Sequence, residues 1–298
     1  MQKIEIDATR LANVQLPGHF EKSGVVITIG NFDGVHLGHR ALLKQVRDVA
    51  ETRQLHSAVL TFEPHPREFF KVQSSRQRLT TQTQKKQLLE WEGLDLLVVA
   101  TFDQAMAELS PESFVNKLLI DALKVRHLIV GDDFCFGHRR QGDFTSLKCL
   151  SAGKDLEIET MDTHSSEGER VSSSLIRSCI AAGDLLRARK LLGRWHVLGG
   201  RVQSCLRTAN GYSLLLQIEA GQAPAFGRYR VKLKFNGRPM LFSGVADMGA
   251  NSGLVEVGID NLENSHVAHG CIAEMFFLYP LIGLRQTEAG AQKYLSSG

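Results

Sequence analysis

The feature that most constrains this chain is a change of texture near residue 194. Before it, short apolar runs alternate with segments of helical period, the pattern of a parallel sheet covered by helices. The apolar runs are Val25 to Ile29, Ser57 to Phe62, Leu94 to Phe102, His127 to Val130 and Leu156 to Met161. Between them, Leu42, Leu43, Val46, Val49 and Ala50 keep a period of about 3.6 residues. A Gln/Lys-rich helical stretch runs to about Trp91, and Ser110-Pro111 is a cap and first-turn pair opening a helix to about Leu123. Ser172 to Leu192 supplies two more helical stretches separated by Ala182-Gly183-Asp184. After residue 194 come glycine-punctuated runs of strand type: Tyr212 to Ile218, Tyr229 to Phe235, Leu241 to Val245, Leu254 to Ile259 and Cys271 to Tyr279. The expectation is an α/β domain with a parallel sheet over residues 1–194 and a smaller β-barrel or sandwich over 195–298.

Composition narrows the function classes. A chain of 298 residues that is 43% hydrophobic and 22% charged has enough apolar material for one large core or two ordinary ones, which excludes disorder and coiled coil. A net charge of +3 is too mild to imply a nucleic-acid or membrane-surface partner, yet it suits an anionic substrate. The longest apolar candidate for a membrane span, Ile272 to Leu284, is broken by Glu274 and Pro280. The first residues lack the basic-then-apolar pattern of a secretory signal. The five cysteines are odd in number and lack CxxC spacing, so neither a disulfide framework nor a zinc site is expected, and a reducing cytoplasm fits best.

The stretch that carries chemistry is Gly30-Asn31-Phe32-Asp33-Gly34-Val35-His36-Leu37-Gly38-His39, between an apolar strand and a helix. Backbone N–H groups and the helix dipole receive phosphate at such a junction. Gly30, Gly34 and Gly38 permit tight turns and close approach of a ligand, and His36 and His39, three apart at a helix entrance, can face one bound group. Two imidazoles aimed at a polyphosphate donate hydrogen bonds to oxygens that gain charge as pyrophosphate leaves. The plainer alternative is a glycine-rich turn with two solvated histidines.

This stretch resembles the first signature of the bacterial FAD synthetases, a Rossmann-like branch of the HxGH nucleotidyltransferases usually fused to a riboflavin kinase domain. Three further segments agree with that family in order and spacing. Leu60-Thr61-Phe62-Glu63-Pro64-His65-Pro66 is similar to its second segment, and Gly131-Asp132-Asp133-Phe134-Cys135-Phe136-Gly137 resembles its G-x-[DN]-F-x-F-G loop. Val171-Ser172-Ser173-Ser174-Leu175-Ile176-Arg177 resembles its SST-x-IR segment, with Ser174 where Thr is usual. The resemblance covers about residues 16–193. It implies transfer of AMP from ATP to FMN, giving FAD and pyrophosphate, with Mg2+ assisting.

Each segment has a local reading beside the implied one. In the family the Pro64-His65-Pro66 region helps hold flavin; on its own it is a rigid turn, and Phe62 is either core or a wall of the flavin site. Asp133 is either a turn cap or a carboxylate holding flavin or ribose, while Phe134 and Phe136 are either packing or ligand contacts. Ser172, Ser173 and Ser174 read as an ordinary helix cap or, with Arg177 one turn in, as a phosphate site. Asp33 is a turn residue or helps place Mg2+. The catalytic set implied is His36, His39 and Arg177.

The second domain resembles the kinase partner poorly. Arg207-Thr208-Ala209-Asn210 stands where Pro-Thr-Ala-Asn is expected, its glycine-rich lead is shortened, and Gly258 stands where His is common. Thr208, Asn210 and Glu256 are the kinase-like remnant, Glu256 aligning with the family's base on the ribityl hydroxyl. The expectation is an FMN adenylyltransferase with a degenerate kinase-like domain. The alternatives are a fully bifunctional enzyme that also phosphorylates riboflavin, a nucleotidyltransferase with another phosphorylated acceptor, and a binding protein without turnover.

Overall fold

The computed structural model describes residues 1–72, 77–161, 165–166, 169–209, 211–238, 240–249, 253–259, 267 and 269–281. They divide into two compact units, Met1–Ser74 with Gln82–Ser172, and Ser75–Thr81 with Ser173–Gly298.

The first unit is built on β1 (Gln2–Ile6), β2 (Val25–Ile29), β3 (His56–Glu63), β4 (Leu96–Thr101), β5 (Val125–Gly131) and β6 (Glu157–Met161). Their spatial order is β1-β4-β3-β2-β5-β6, and every pairing is parallel. From β2 the chain runs outward through β3 and β4, then returns to add β5 and β6 on the other side. The switch point therefore lies at β2 and β5, and ligands of such sheets bind beyond the carboxyl ends there. Side-chain alternation explains why the strands read as unbroken apolar runs. Val26, Val59, Leu97 and Ile129 face one core with Leu43, Val46 and Ala50 of helix Leu37–Arg53. Ile27, Leu60, Val98 and Leu128 face the other core with Phe114, Val115, Leu118 and Leu119. Truncating one of these leucines to alanine costs about 2–5 kcal/mol.

All five expected strands of this sheet are present, and β1 is an addition at its edge. Only Ile6 of Gln-Lys-Ile-Glu-Ile is buried, so the segment carries little apolar signal. The helix opened by Ser110 also differs from expectation. Ser110 Oγ accepts from Ser113 N at 3.1 Å and Pro111–Ser113 is α-helical, but Phe114–Ala122 is wound as a π-helix. The wider winding suits a stripe whose buried members, Phe114 with Val115, Leu118 with Leu119 and Ala122 with Leu123, come in pairs that recur every four residues. A short antiparallel ladder of β7 (Ser165–Ser166) and β8 (Glu169–Arg170) completes the unit.

The second unit holds β9 (His196–Thr208), β10 (Gly211–Ala220), β11 (Gly227–Phe235), β12 (Leu241–Met248), β13 (Leu254–Ile259) and β14 (Ile272–Pro280). They close into an antiparallel barrel in the order β10-β13-β12-β11-β14-β9, which leaves no free sheet edge. Val231, Leu233 and Phe235 point inward between exposed Lys232 and Lys234, and Val255, Val257 and Ile259 do so around Glu256. β9 has no counterpart among the expected runs, because Gly199-Gly200 interrupts its apolar positions. Helices Ser173–Ala181 and Leu185–Leu192 belong with this unit, and the second packs on β9 and β14 through buried Leu185, Ala188, Leu191 and Leu192. The contact division at Ser172 thus precedes the change of texture at 194, since helical period does not say which unit a helix buries its face against. No helix among the described residues is long and apolar enough to cross a membrane.

Candidate active site

At the carboxyl end of β2 the chain turns through Gly30 to Val35 and enters helix Leu37–Arg53. Phe32 and Val35 have φ of 49° and 37°, so two side-chain-bearing residues, one of them β-branched, are held in the left-handed region around Asp33-Gly34. Such strain costs on the order of 1–3 kcal/mol per residue and collects at functional turns. Phe32 secures the turn by packing into the core at 1% exposure, and Asp33 is also buried. His36 is the N-cap of the helix, its Nδ1 accepting from His39 N at 3.3 Å. That bond fixes the chemistry of the ring. With Nδ1 an acceptor, neutral imidazole carries its proton on Nε2. The His36 and His39 rings stack at 3.6 Å between centroids and 16° between planes, and Phe32 lies 5.1 Å from His39. Gly38 leaves room for this stack: a Cβ there would sit 3.3 Å from the His36 ring and 3.5 Å from Val171 O.

At the end of β3, His65 caps helix Pro66–Phe69, its Nδ1 accepting from Arg67 N at 3.0 Å, and the Glu63-Pro64 peptide is cis. Phe62 packs partly on the core and meets Phe102 edge-to-face at 5.6 Å. Phe69 and Phe70 also lie against Phe102, at 5.5 and 5.8 Å, and Phe70 is 58% exposed. Sequence reasoning names Phe62 and the Pro64-His65-Pro66 turn here but misses Phe69, Phe70 and Phe102, which become one aromatic group only when β3 and β4 pair. It also misses Lys85 of helix Gln82–Trp91, whose buried Nζ lies 2.6 Å from Glu63 Oε1. The available signal was its place four residues before buried Leu89, on the inward face of a helix that otherwise reads as solvated.

At the end of β5, Phe134 N donates to Gly131 O at 3.1 Å, closing the turn that carries Asp133. Asp133 Oδ2 accepts from Arg170 Nη2 at 2.6 Å, and Asp132 lies 3.6 Å from the same nitrogen. Phe136 is buried against Phe114, 5.1 Å away, while Phe134 is half-buried and stacks on Phe136 at 5.6 Å. The structure thus adds Arg170, on β8, to the residues at this strand end. Ser172 closes the first unit; Ser173 and Ser174 open helix Ser173–Ala181 of the second. Arg177 Nη2 donates to Ser174 Oγ at 3.2 Å, so the hydroxyl and guanidinium lie together at that helix start.

In the barrel, Thr208 pairs with Gly211 across a tight β9–β10 hairpin; Asn210 lies outside the described residues. Glu256 sits on the outer face of β13 opposite Leu215, and its Oε1 accepts from Ser213 Oγ at 2.7 Å. Two strand spacings and four residues along β10 separate Thr208 from Glu256, roughly 16 Å.

The sequence profile of the FAD synthetase family matches residues 19–175, the span that contains the strand-end loops described above. A bifunctional riboflavin kinase/FMN adenylyltransferase of Pseudomonas fluorescens is 37% identical over 246 residues, 82% of this chain and 78% of that protein. Proteins of the same name from Haemophilus influenzae (37% over 229 residues; 76% and 74%) and Escherichia coli (36% over 231 residues; 76% and 74%) are also similar. The crystal structure of a macrolide-efflux protein from Streptococcus pneumoniae superposes with a TM-score of 0.80 at 22% identity, covering 98% of this chain and 94% of that one, a likeness of fold alone. On the family match and these relatives, the chain belongs to the FAD synthetase family of FMN adenylyltransferases.

Proposed function

We propose that the chain transfers the adenylyl group of ATP to FMN and that its barrel does not phosphorylate riboflavin. The observation that carries the first part is the placement of two histidines at one helix entrance: His36 caps the long helix Leu37–Arg53 through Nδ1, and its ring stacks on that of His39 at 3.6 Å. The N-terminus of a helix favours anions through its backbone N–H groups and the helix dipole. In the reaction an FMN phosphate oxygen forms a bond to the α-phosphorus of ATP. The bond from that phosphorus to the bridging oxygen breaks, and pyrophosphate leaves with the electron pair. The nucleophile is already an anion, so no general base is required. The protein's task is to hold two polyanions in line and to answer the charge that grows on the leaving oxygens, which suits His36 and His39. Arg177 and Ser174, side by side at the start of helix Ser173–Ala181, are assigned to phosphate binding. Asp133 and the aromatic group of Phe62, Phe69, Phe70 and Phe102 are assigned to the flavin side. Mg2+ is assigned to the ATP phosphates, whose oxygens are its usual ligands in such reactions.

The second part rests on the barrel. Thr208 is engaged in a hairpin ladder and Glu256 lies far from it on the outer face, whereas a kinase needs its metal-binding and basic groups around one reacting phosphate. Product analysis by chromatography tests both parts. The full chain with Mg-ATP is expected to make FAD from FMN and nothing from riboflavin. FMN or FAD from riboflavin would restore the bifunctional reading; no product from FMN would leave a different phosphorylated acceptor or a binding role.

A further inference from the structure

We propose that Lys85 is a positioning residue that sets the spacing between the two loops assigned to ATP and to FMN, an inference that rests on the adenylyltransferase reading. The β2–β3 ladder runs to Ile29 opposite Leu60, and its last backbone tie is Gly30 N to Leu60 O at 3.1 Å. Beyond that point the chains part: one continues through Asn31 toward His36, the other through Glu63 toward His65. Lys85, from a third element, reaches into the gap. Its ammonium lies 2.6 Å from Glu63 Oε1, 3.1 Å from Thr61 Oγ1 and 3.4 Å from Asn31 O, three acceptors for three donors. Thr61 Oγ1 donates to the same Asn31 carbonyl at 3.3 Å. The side chains of Lys85 and Glu63 are 7% and 12% exposed, so this is a buried ion pair that continues the ladder with side chains.

Such a pair is a poor device for stability, because desolvation cancels most of its attraction and an apolar pair of similar volume folds as well. What an apolar pair lacks is direction. Lys85 ties Asn31 and Glu63 at fixed bond lengths, and the loops they begin carry His36 on one side and His65 on the other. In-line transfer is sensitive to misplacement of about 1 Å, so loosening this tie lowers turnover while each substrate still finds its own loop.

The test uses the full chain with Lys85→Met and with the charge-free pair Lys85→Met/Glu63→Leu. Lys85→Met alone takes the ammonium away from a buried carboxylate and is expected to lower the melting temperature; the double variant removes the carboxylate as well and is expected to melt near the wild type. In the folded double variant kcat is expected to stay down by about 100-fold, with the KM values for ATP and FMN changed less than about threefold. Recovery of kcat together with melting temperature would make Lys85 merely structural and overturn the proposal. Hydrogen exchange supplies a readout independent of turnover. Peptides spanning 30–36 and 62–68 are expected to lose protection together in the double variant, and unchanged protection in both overturns the proposal. A wild type that makes no FAD overturns the adenylyltransferase reading instead, and the exchange arm still decides the positioning.

Discussion

One imidazole of this protein carries a structural contact and, in the proposed reaction, a catalytic one, and substitutions at it can separate them. His36 Nδ1 caps helix Leu37–Arg53, and we assign Nε2 to the phosphates of the ligand. His36→Ala removes both, so it is expected to cost about 1 kcal/mol of stability as a lost cap and about 100-fold or more in kcat as a lost donor to the leaving phosphates. His36→Asn keeps a cap acceptor but not the distal N–H; melting temperature should recover and kcat should not. FMN affinity, read by flavin fluorescence, is expected to change little in either variant, and an effect confined to KM would sink the assignment. Gly38→Ala tests the same ring from outside. Its new Cβ would stand 3.3 Å from the His36 ring with Val171 O behind it at 3.5 Å, so the imidazole must shift by a few tenths of an ångström. We expect about a tenfold loss of kcat with little change in melting temperature; unchanged kcat would mean that the ring's placement is not critical.

Elements show where a local change spreads. The loop after β5 closes on itself through Phe136 and Gly142, whose backbones exchange two hydrogen bonds of 2.9 Å. A Cβ at Gly142 would fall 2.6 Å from the Phe136 ring, which is itself packed against Phe114. Gly142→Ala is therefore expected to destabilise the first unit by about 1–3 kcal/mol and to weaken flavin binding by displacing Asp133 from Arg170; thermal melting and flavin titration would show both, and an unaltered melting curve would refute it. The same loop marks how far the sequence can be read. The strand, turn and helix around His36 are legible because a fully apolar run, a glycine-rich turn and a helical period meet within a short stretch. Arg170 is not, since its meeting with Asp133 depends on where the β7–β8 ladder sets it down. Lys85 stands beside Lys86 in a polar helix, and the four-residue spacing to Leu89 is a faint sign, easily overlooked among so many polar residues, that Lys85 is the buried one. Apolar spacing announces the helix after Pro111 but not its π winding, which follows from the width of the face it buries.

For the whole molecule, the presence of two compact units means that stability need not respond to pH as one quantity. In the barrel unit His196 is 3% exposed, its Nε2 donates to Gln222 O at 2.7 Å, and its ring lies 6.0 Å from that of Phe277. Burial lowers its pKa from the ordinary 6.5 to about 4, opposed by the bond to Gln222 and aided by the positive charge of Arg194. Between those values the unfolded chain holds a proton there that the folded barrel rejects. This stabilising contribution is therefore complete above pH 6.5, falls as the pH is lowered, and has lost about 3 kcal/mol by pH 4. The chain has two tryptophans, Trp91 in the first unit and Trp195 next to His196, the latter with the Arg189 guanidinium 3.9 Å above its ring. Trp91 is 78% exposed, so Trp91→Phe is a mild change that leaves Trp195 fluorescence to report the barrel unit alone. In that background the barrel's melting temperature is expected to fall between pH 6.5 and 4 more steeply with His196 than with His196→Gln, whose amide still offers a donor to the Gln222 carbonyl. Parallel curves for the two would mean that the buried imidazole is not what links the barrel's stability to pH.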